Sequence, residues 1–158
     1  MNSRTPSIEA LAVAPKTKLS NYPEPFRSMM KGRTKRALGD HFGLINFGVN
    51  LTTLAPGSLS ALRHAHSRQD EFIYVISGTL TLRTDEGDLE LSPGMSAGFR
   101  AGSNDAHQLI NRGASEAVYL EVGDRTSGDE AIYPDDDLQA RMHEGQWIFT
   151  HKDGTPYP

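Results

Sequence analysis

The chain of 158 residues contains no cysteine. Disulfides, thiolate zinc sites and cysteine nucleophiles are therefore excluded. It also lacks any apolar run close to the roughly 18 residues that a membrane-spanning helix needs. Positive charge is not in excess: 16 Lys and Arg stand against 20 Asp and Glu, a formal charge of −4. The clustered basic face of a nucleic-acid binder is not expected from that balance. Ala10 to Ala14 has the small-residue spacing of a leader cleavage site, but no apolar region of about 7–15 residues precedes it. The expectation is a cytoplasmic protein with neither membrane nor nucleic acid as partner. Other signatures are missing too. There is no phosphate-cradling glycine loop with Lys and Ser or Thr, no dinucleotide fingerprint and no serine-centred hydrolase motif. No helix-turn-helix segment is evident.

What is present is a series of short alternating segments. Ile45, Phe47, Val49 and Leu51 alternate with small or polar residues across 44–54, which predicts a strand. Further strands are predicted at 61–66, 71–76, 80–84, 88–91, 97–100, 107–111 and 117–122. Turn residues separate them: Ser77 and Gly78, Asp85 to Gly87, Ser92 to Gly94, Ala101 to Asp105 and Arg112 to Ser115. Many short strands with Gly and Pro turns, and no intervening helices, predict an antiparallel sandwich or barrel. The length suits one domain with a single core.

The ends differ from this middle. Pro6, Pro15, Pro23 and Pro25 argue against a continuous N-terminal helix, so an extended arm is expected. Lys31, Arg33, Lys35 and Arg36 form a basic run whose ordinary reading is a solvated loop. After Gly123 the chain turns acidic. Asp135 to Asp137 is read as the cap of a short helix over 138–143, and 147–150 as a final strand, with Trp147 in the core. The expected organisation is an arm over 1–43, a barrel over 44–122 and a wrap over 123–158 that completes the same domain.

His64 and His66 are two apart on a predicted strand, so their side chains project to one face. Four residues, Ser67 to Asp70, then reverse the chain, a common hairpin length. Glu71 returns beside the two imidazoles, a ligand mixture that borderline divalent metals favour. On this alternation Leu62, Ile73 and Val75 point the same way, which predicts an apolar surround. Arg63, Phe72 and Tyr74 point to the other face. His41, His143 and His151 are read as surface or packing residues. Arg100 is read as an exposed strand end, with anion binding as the lesser alternative.

The run from Gly57 through His64, His66 and Glu71 to Gly78 resembles the first motif of the cupins, with one extra residue in its first gap. Pro93 to Asn111 resembles the second motif. Arg100 stands there where the family has Pro, and four residues rather than two separate Gly102 from His107. The resemblance implies a jelly-roll β-barrel, all-β and antiparallel, with both termini wrapped around it. It implies one divalent metal ion per chain (Mn, Fe, Zn or Ni) held by His64, His66, Glu71 and His107. Three imidazoles and one carboxylate would leave two positions of an octahedral ion open. Gly39 to Gly43 and Phe149 to Gly154 are similar to a group of small bacterial cupins, some of which bear a sugar-phosphate isomerase label.

Function stays open among several readings at this point. The leading one is a metal-dependent enzyme on a small oxygen-rich molecule, with isomerisation of a sugar or sugar phosphate first. An iron-dependent dioxygenase or a decarboxylase suits the same ligands, and so does a barrel that only binds a small molecule. A homodimer is also expected, because small open barrels leave edge strands in need of cover. The N-terminal arm and the strand at Trp147 are the candidates to pair across a two-fold. No residue names itself as a general base.

Overall fold

Along the segment from Glu71 to Ser77, Ile73 and Val75 are buried while Phe72, Tyr74 and Ile76 are exposed. Alternation at period two has put one set into the core and the other on the outside. Burying each aliphatic side chain is worth about 1.5–3 kcal/mol, so a one-residue slip of this strand would be strongly opposed. The same logic builds the rest of the molecule.

The computed structural model describes residues 6–158. Strands dominate. In chain order they are β1 (Arg33–Ala37), β2 (Phe47–Leu54), β3 (Ala65–His66), β4 (Glu71–Ser77), β5 (Leu80–Thr84), β6 (Gly87–Leu91) and β7 (Ser96–Phe99). β8 (Gln108–Ile110), β9 (Ala117–Asp124), β10 (Glu130–Tyr133), β11 (Leu138–His143) and β12 (Gln146–Thr150) follow. One short helix, α1 (Leu38–Phe42), joins β1 to β2. Three sheets have the orders β1-β2-β9-β4-β7, β12-β11-β10-β3 and β6-β5-β8. The strand pairs are antiparallel throughout. Strands distant in sequence lie side by side, as β2 does with β9. This is the antiparallel jelly roll that the sequence implied.

Two apolar clusters fill it. One, between the five-stranded sheet and the β5 hairpin, contains Leu54, Ile73, Val75, Leu80, Leu82, Leu109 and Tyr119. The other unites the two ends of the chain: Tyr22 and Met30 from the arm meet Leu62, Tyr133, Leu138 and Ala140. Tyr22 packs edge-on against both Tyr133 and Phe149, with centroids 5.8 and 5.6 Å away. The arm also hydrogen-bonds to its own sheet, Lys16 N–H donating to the carbonyl of Lys35.

Several local expectations change. The residues over 138–143 form strand β11, not a helix. Leu138 and Ala140 are buried while the intervening residues are not, a period of two, and the strand is paired on both sides by β10 and β12. β10 itself lies in the acidic stretch after Gly123, where no strand was expected, with Ala131 and Tyr133 facing the core. The predicted strand over 61–66 shrinks to β3, and isolated bridges Leu59↔Ile110 and His64↔His107 tie down its approach. Of the basic run, Lys31 is exposed in a turn as expected, but Arg33, Lys35 and Arg36 lie in β1, an edge strand paired to β2. Those three cations are engaged. Arg33 donates to the carbonyls of Ser60 and Leu19, Arg36 to that of Val13, and Lys35 to Glu121. No helix among the described residues is long and apolar enough to cross a membrane.

Candidate metal centre

Three strands and one bridge bring the imidazoles together. His66 sits in β3, and β3 pairs with β10. His64, just before it, bridges to His107: each backbone N–H donates to the other's carbonyl, at 3.1 and 2.8 Å. Glu71 opens β4. The reversal between them is fastened by its own polar groups. Arg68 N–H and the Ser67 hydroxyl donate to Asp129, and Asp70 N–H donates to Asp124. His64, His66 and Glu71 thus offer ligand atoms that all lie within 4.8 Å of one another. His107 stands outside that group of three, but its Nε2 lies 2.7 Å from Glu71 Oε2. The two extra residues before His107 bulge outward as an exposed loop, and Asn104 there takes a positive φ of 61°.

The hydrogen bonds around the rings aim their lone pairs inward. His64 Nδ1 lies 2.7 Å from the Leu62 carbonyl, and His66 Nδ1 lies 2.5 Å from Asp129 Oδ2. Both acceptors require the proton on Nδ1, which leaves each Nε2 free to bind a metal. His107 is oriented differently. Its ring stacks flat on Phe99 at 3.5 Å, and its Nδ1 is buried without a partner.

Glu71 Oε2 is buried and makes no aligned hydrogen bond. Yet Nε2 of His107, His64 and His66 lie 2.7, 3.4 and 3.7 Å from it. Acceptors converging on one point without an aligned donor between them is costly. A divalent cation resolves that conflict, so the donor set fits a metal. Without the ion, donation from the rings serves the carboxylate instead. Burial pushes the Glu71 carboxyl up, but the imidazoles of His107 and His64 outweigh it and hold the group well below the usual carboxylate range. Burial also lowers His66, and there Asp129 and Glu71 overcome it and raise the ring above its ordinary value. For His107 burial wins, and the ring is lowered.

Asp129 is the residue that sequence reading passed over. It is fully buried and sits in the acidic stretch after Gly123. The available signal was a carboxylate one residue before a short alternating strand.

The centre opens into a cavity of about 590 Å³. Leu62, Ile73 and Val75 are buried as alternation predicted, but the chamber is not apolar. The inner faces of β1, β2 and β9 contribute Arg33, Lys35, Asn50 and Glu121, and the arm contributes Lys16 and Lys18. With Arg125, five cationic side chains line it against three carboxylates, Glu71, Glu121 and Asp124. Trp147 both packs on the second core and lines the cavity. Arg100 is exposed and apart from the cavity. His143 is exposed, and His151 pairs with Asp137.

A family model described as the cupin domain matches residues 50–123. A solved structure from Silicibacter pomeroyi, described as a sugar phosphate isomerase from a cupin superfamily, is 40% identical over 97% of both chains, with a TM-score of 0.91. A second, from Acidithiobacillus ferrooxidans and named provisionally as a sugar phosphate isomerase, is 30% identical over 77% of both chains, with a TM-score of 0.72. The polyketide cyclase RemF of Streptomyces resistomycificus shares the fold at 20% identity and a TM-score of 0.62. Comparison with curated proteins finds no match. The matched residues include β4 and β9, the strands that frame the metal centre, and a likeness sustained over nearly the whole chain makes this protein a member of the cupin superfamily.

Proposed function

We propose that this cupin is a metal-dependent isomerase of a sugar phosphate. The observation that carries the reading is the orphaned Glu71 Oε2, facing three imidazole nitrogens at the wall of a cationic cavity. His64, His66, Glu71 and His107 would hold one divalent ion, of the Mn, Fe, Zn or Ni group. When bound, such an ion polarises a carbonyl and favours negative charge on its oxygen. The remaining residues do the rest. Asp129 and the Leu62 carbonyl fix the tautomers of His66 and His64. The surplus of Lys and Arg favours an anionic substrate over a neutral sugar. The two relatives bearing sugar phosphate isomerase names support the same substrate class.

The chain is further read as a homodimer. Its arm lies along its own β1, so the arm is not free to pair across a two-fold. The outer face of the five-stranded sheet, where Phe72, Tyr74 and Ile76 are exposed, is the surface a second copy would cover.

The test is an interconversion assay. Protein purified without a histidine tag is loaded with each metal in turn and incubated with aldoses, ketoses and their phosphates, and the products are followed by NMR. Turnover of a phosphorylated sugar, lost in His66→Ala, supports the proposal. If no aldose or ketose is interconverted with any of the four metals, the isomerase reading fails and small-molecule binding without catalysis replaces it.

A further inference from the structure

We propose that Glu121 is the residue that carries the proton in this cavity, held by Lys35 and Asn50; the inference rests on the isomerase reading above. Interconverting an aldose and a ketose moves hydrogen between adjacent carbons, so a base must reach the substrate. The carboxylates of the cavity and its surround can be taken in turn. Glu71 is committed to the imidazoles. Asp129 is fully buried against His66. Asp124 accepts the backbone N–H groups of Asp70 and Thr126. Glu121 remains.

Its placement follows from strand register. Gly123 is opposite Glu71 and Glu121 is opposite Ile73. Glu121 and Glu71 are therefore diagonal neighbours on the inward face, with Cβ atoms about 7 Å apart. On the other side Glu121 pairs with Asn50. Glu121 Oε1 accepts from Lys35 Nζ at 2.5 Å and from Asn50 Nδ2 at 2.9 Å. Among the described residues no aligned hydrogen bond reaches its Oε2, although the buried Tyr119 phenol lies close enough to feel the carboxylate. The side chain is 22% exposed, and that of Lys35 25%, so both are accessible from the cavity. Two pairs further along β9 and β2, on the same face, Tyr119 and Thr52 are opposite one another, and their hydroxyls are buried without aligned partners. A half-buried ion pair kept only for stability gains little over apolar packing. A carboxylate with one oxygen anchored and one open is the arrangement a positioned base needs.

The step balances within the substrate. Glu121 Oε2 takes the proton from the hydroxyl-bearing carbon beside the carbonyl. The C–H electron pair becomes the carbon–carbon double bond of an enediolate, and the carbonyl pair moves onto its oxygen. A proton passes from the neighbouring hydroxyl to that oxygen. The double bond then takes the proton back from Glu121 at the former carbonyl carbon, and the other oxygen becomes the new carbonyl. Lys35 stands at the wall where this charge moves, paired with Glu121.

The test uses the full chain, loaded with the metal and the sugar phosphate that give wild-type turnover, in deuterated water. Wild type should place deuterium on the substrate carbon. Glu121→Gln preserves the shape and the Lys35 and Asn50 contacts. It should keep full metal content and an unchanged KM while kcat and deuterium incorporation both fall by about 100-fold or more. Glu121→Asp should recover part of the loss, which a merely structural residue would not show. Glu121→Gln retaining wild-type kcat within about threefold overturns the role of Glu121 and leaves the isomerase reading standing. Loss of metal or of folding in Glu121→Gln, with Glu121→Asp no better, also overturns it. Wild type that neither interconverts nor exchanges any sugar or sugar phosphate ends both proposals together.

Discussion

Asp129 Oδ2 lies 2.5 Å from His66 Nδ1, across 63 residues of sequence. A carboxylate behind a histidine fixes the ring and raises its basicity. Asp129 also receives Arg68 N–H and the Ser67 hydroxyl, so it ties the histidine strand to the reversal that delivers Glu71. Asp129→Asn keeps the volume but loses the charge. Metal affinity should fall by about 10–100-fold while the barrel stays folded. Competition with a chelator of known affinity measures it, and unchanged affinity would mean that Asp129 serves only the loop.

The raised His66 pKa has a consequence for pH. The group is held above its ordinary 6.5 in the metal-free fold. Its stabilising contribution is therefore fully present below that value and is lost as pH rises through the folded pKa. Metal binding requires the opposite state, with the ring neutral. Metal should then raise the melting temperature little at about pH 6 and more at about pH 8. Thermal melts with and without metal at both values check this. A gain that is flat or falls with pH would place His66 outside the ligand set.

How much of this was legible in sequence depended on the range of the interaction. His64, His66 and Glu71 lie within one hairpin, so alternation and a four-residue turn suffice to bring them together. An antiparallel sandwich or barrel was legible because strands and turns alternate at short spacing, and the jelly roll followed from the resemblance to cupins. Asp129 was not, since its partner is distant and its neighbours look like turn formers. Lys35 and Arg33 were misread for a related reason. A basic run on an edge strand has the composition of a solvated loop, and only pairing with β2 sends alternate cations inward to Glu121 and Ser60. Strand β11 was mistaken for a helix because acidic residues before an apolar position also mark a cap. Tertiary pairing decided between the two periods.

The motif glycines should fail for different reasons. Gly78 has a φ of +73°, and a Cβ there would meet the Glu116 carbonyl at 2.6 Å and the Ala117 backbone at 2.7 Å. Gly57 has a φ of +81° with open space around it. Gly57→Ala should cost only backbone strain, about 1–2 kcal/mol. Gly78→Ala adds a collision with main chain and should cost about 2–4 kcal/mol. Chemical denaturation of both variants tests the order, and equal losses would show that the turn after β4 can shift.

The outer sheet face gives a test of assembly. Phe72 and Tyr74 are each 43% exposed and Ile76 is 47% exposed, side by side on β4. Wild type should have the mass of two chains by light scattering at micromolar concentration. Phe72→Lys should halve that mass and leave metal content intact, because Phe72 points away from the ligands. A wild-type monomer would rule the dimer out.

His107 offers the sharpest test of the metal centre. Its backbone is fixed by the paired hydrogen bonds to His64, and its ring by stacking on Phe99, so it arrives preformed despite the longer loop before it. It differs from His64 and His66 in having no acceptor at Nδ1. If it is a ligand, its removal takes one of four donors and leaves Glu71 with two imidazoles. His107→Ala should then lower metal affinity beyond the about 10–100-fold typical of an outer partner, as His66→Ala should. The apolar core does not include the ligands, so both variants should melt cooperatively. Elemental analysis after dialysis, with circular dichroism as the folding control, distinguishes the cases. Full metal content in His107→Ala, with loss in His66→Ala, would show that the fourth position belongs to water or to another side chain, and that His107 instead holds Glu71 in place through its 2.7 Å contact.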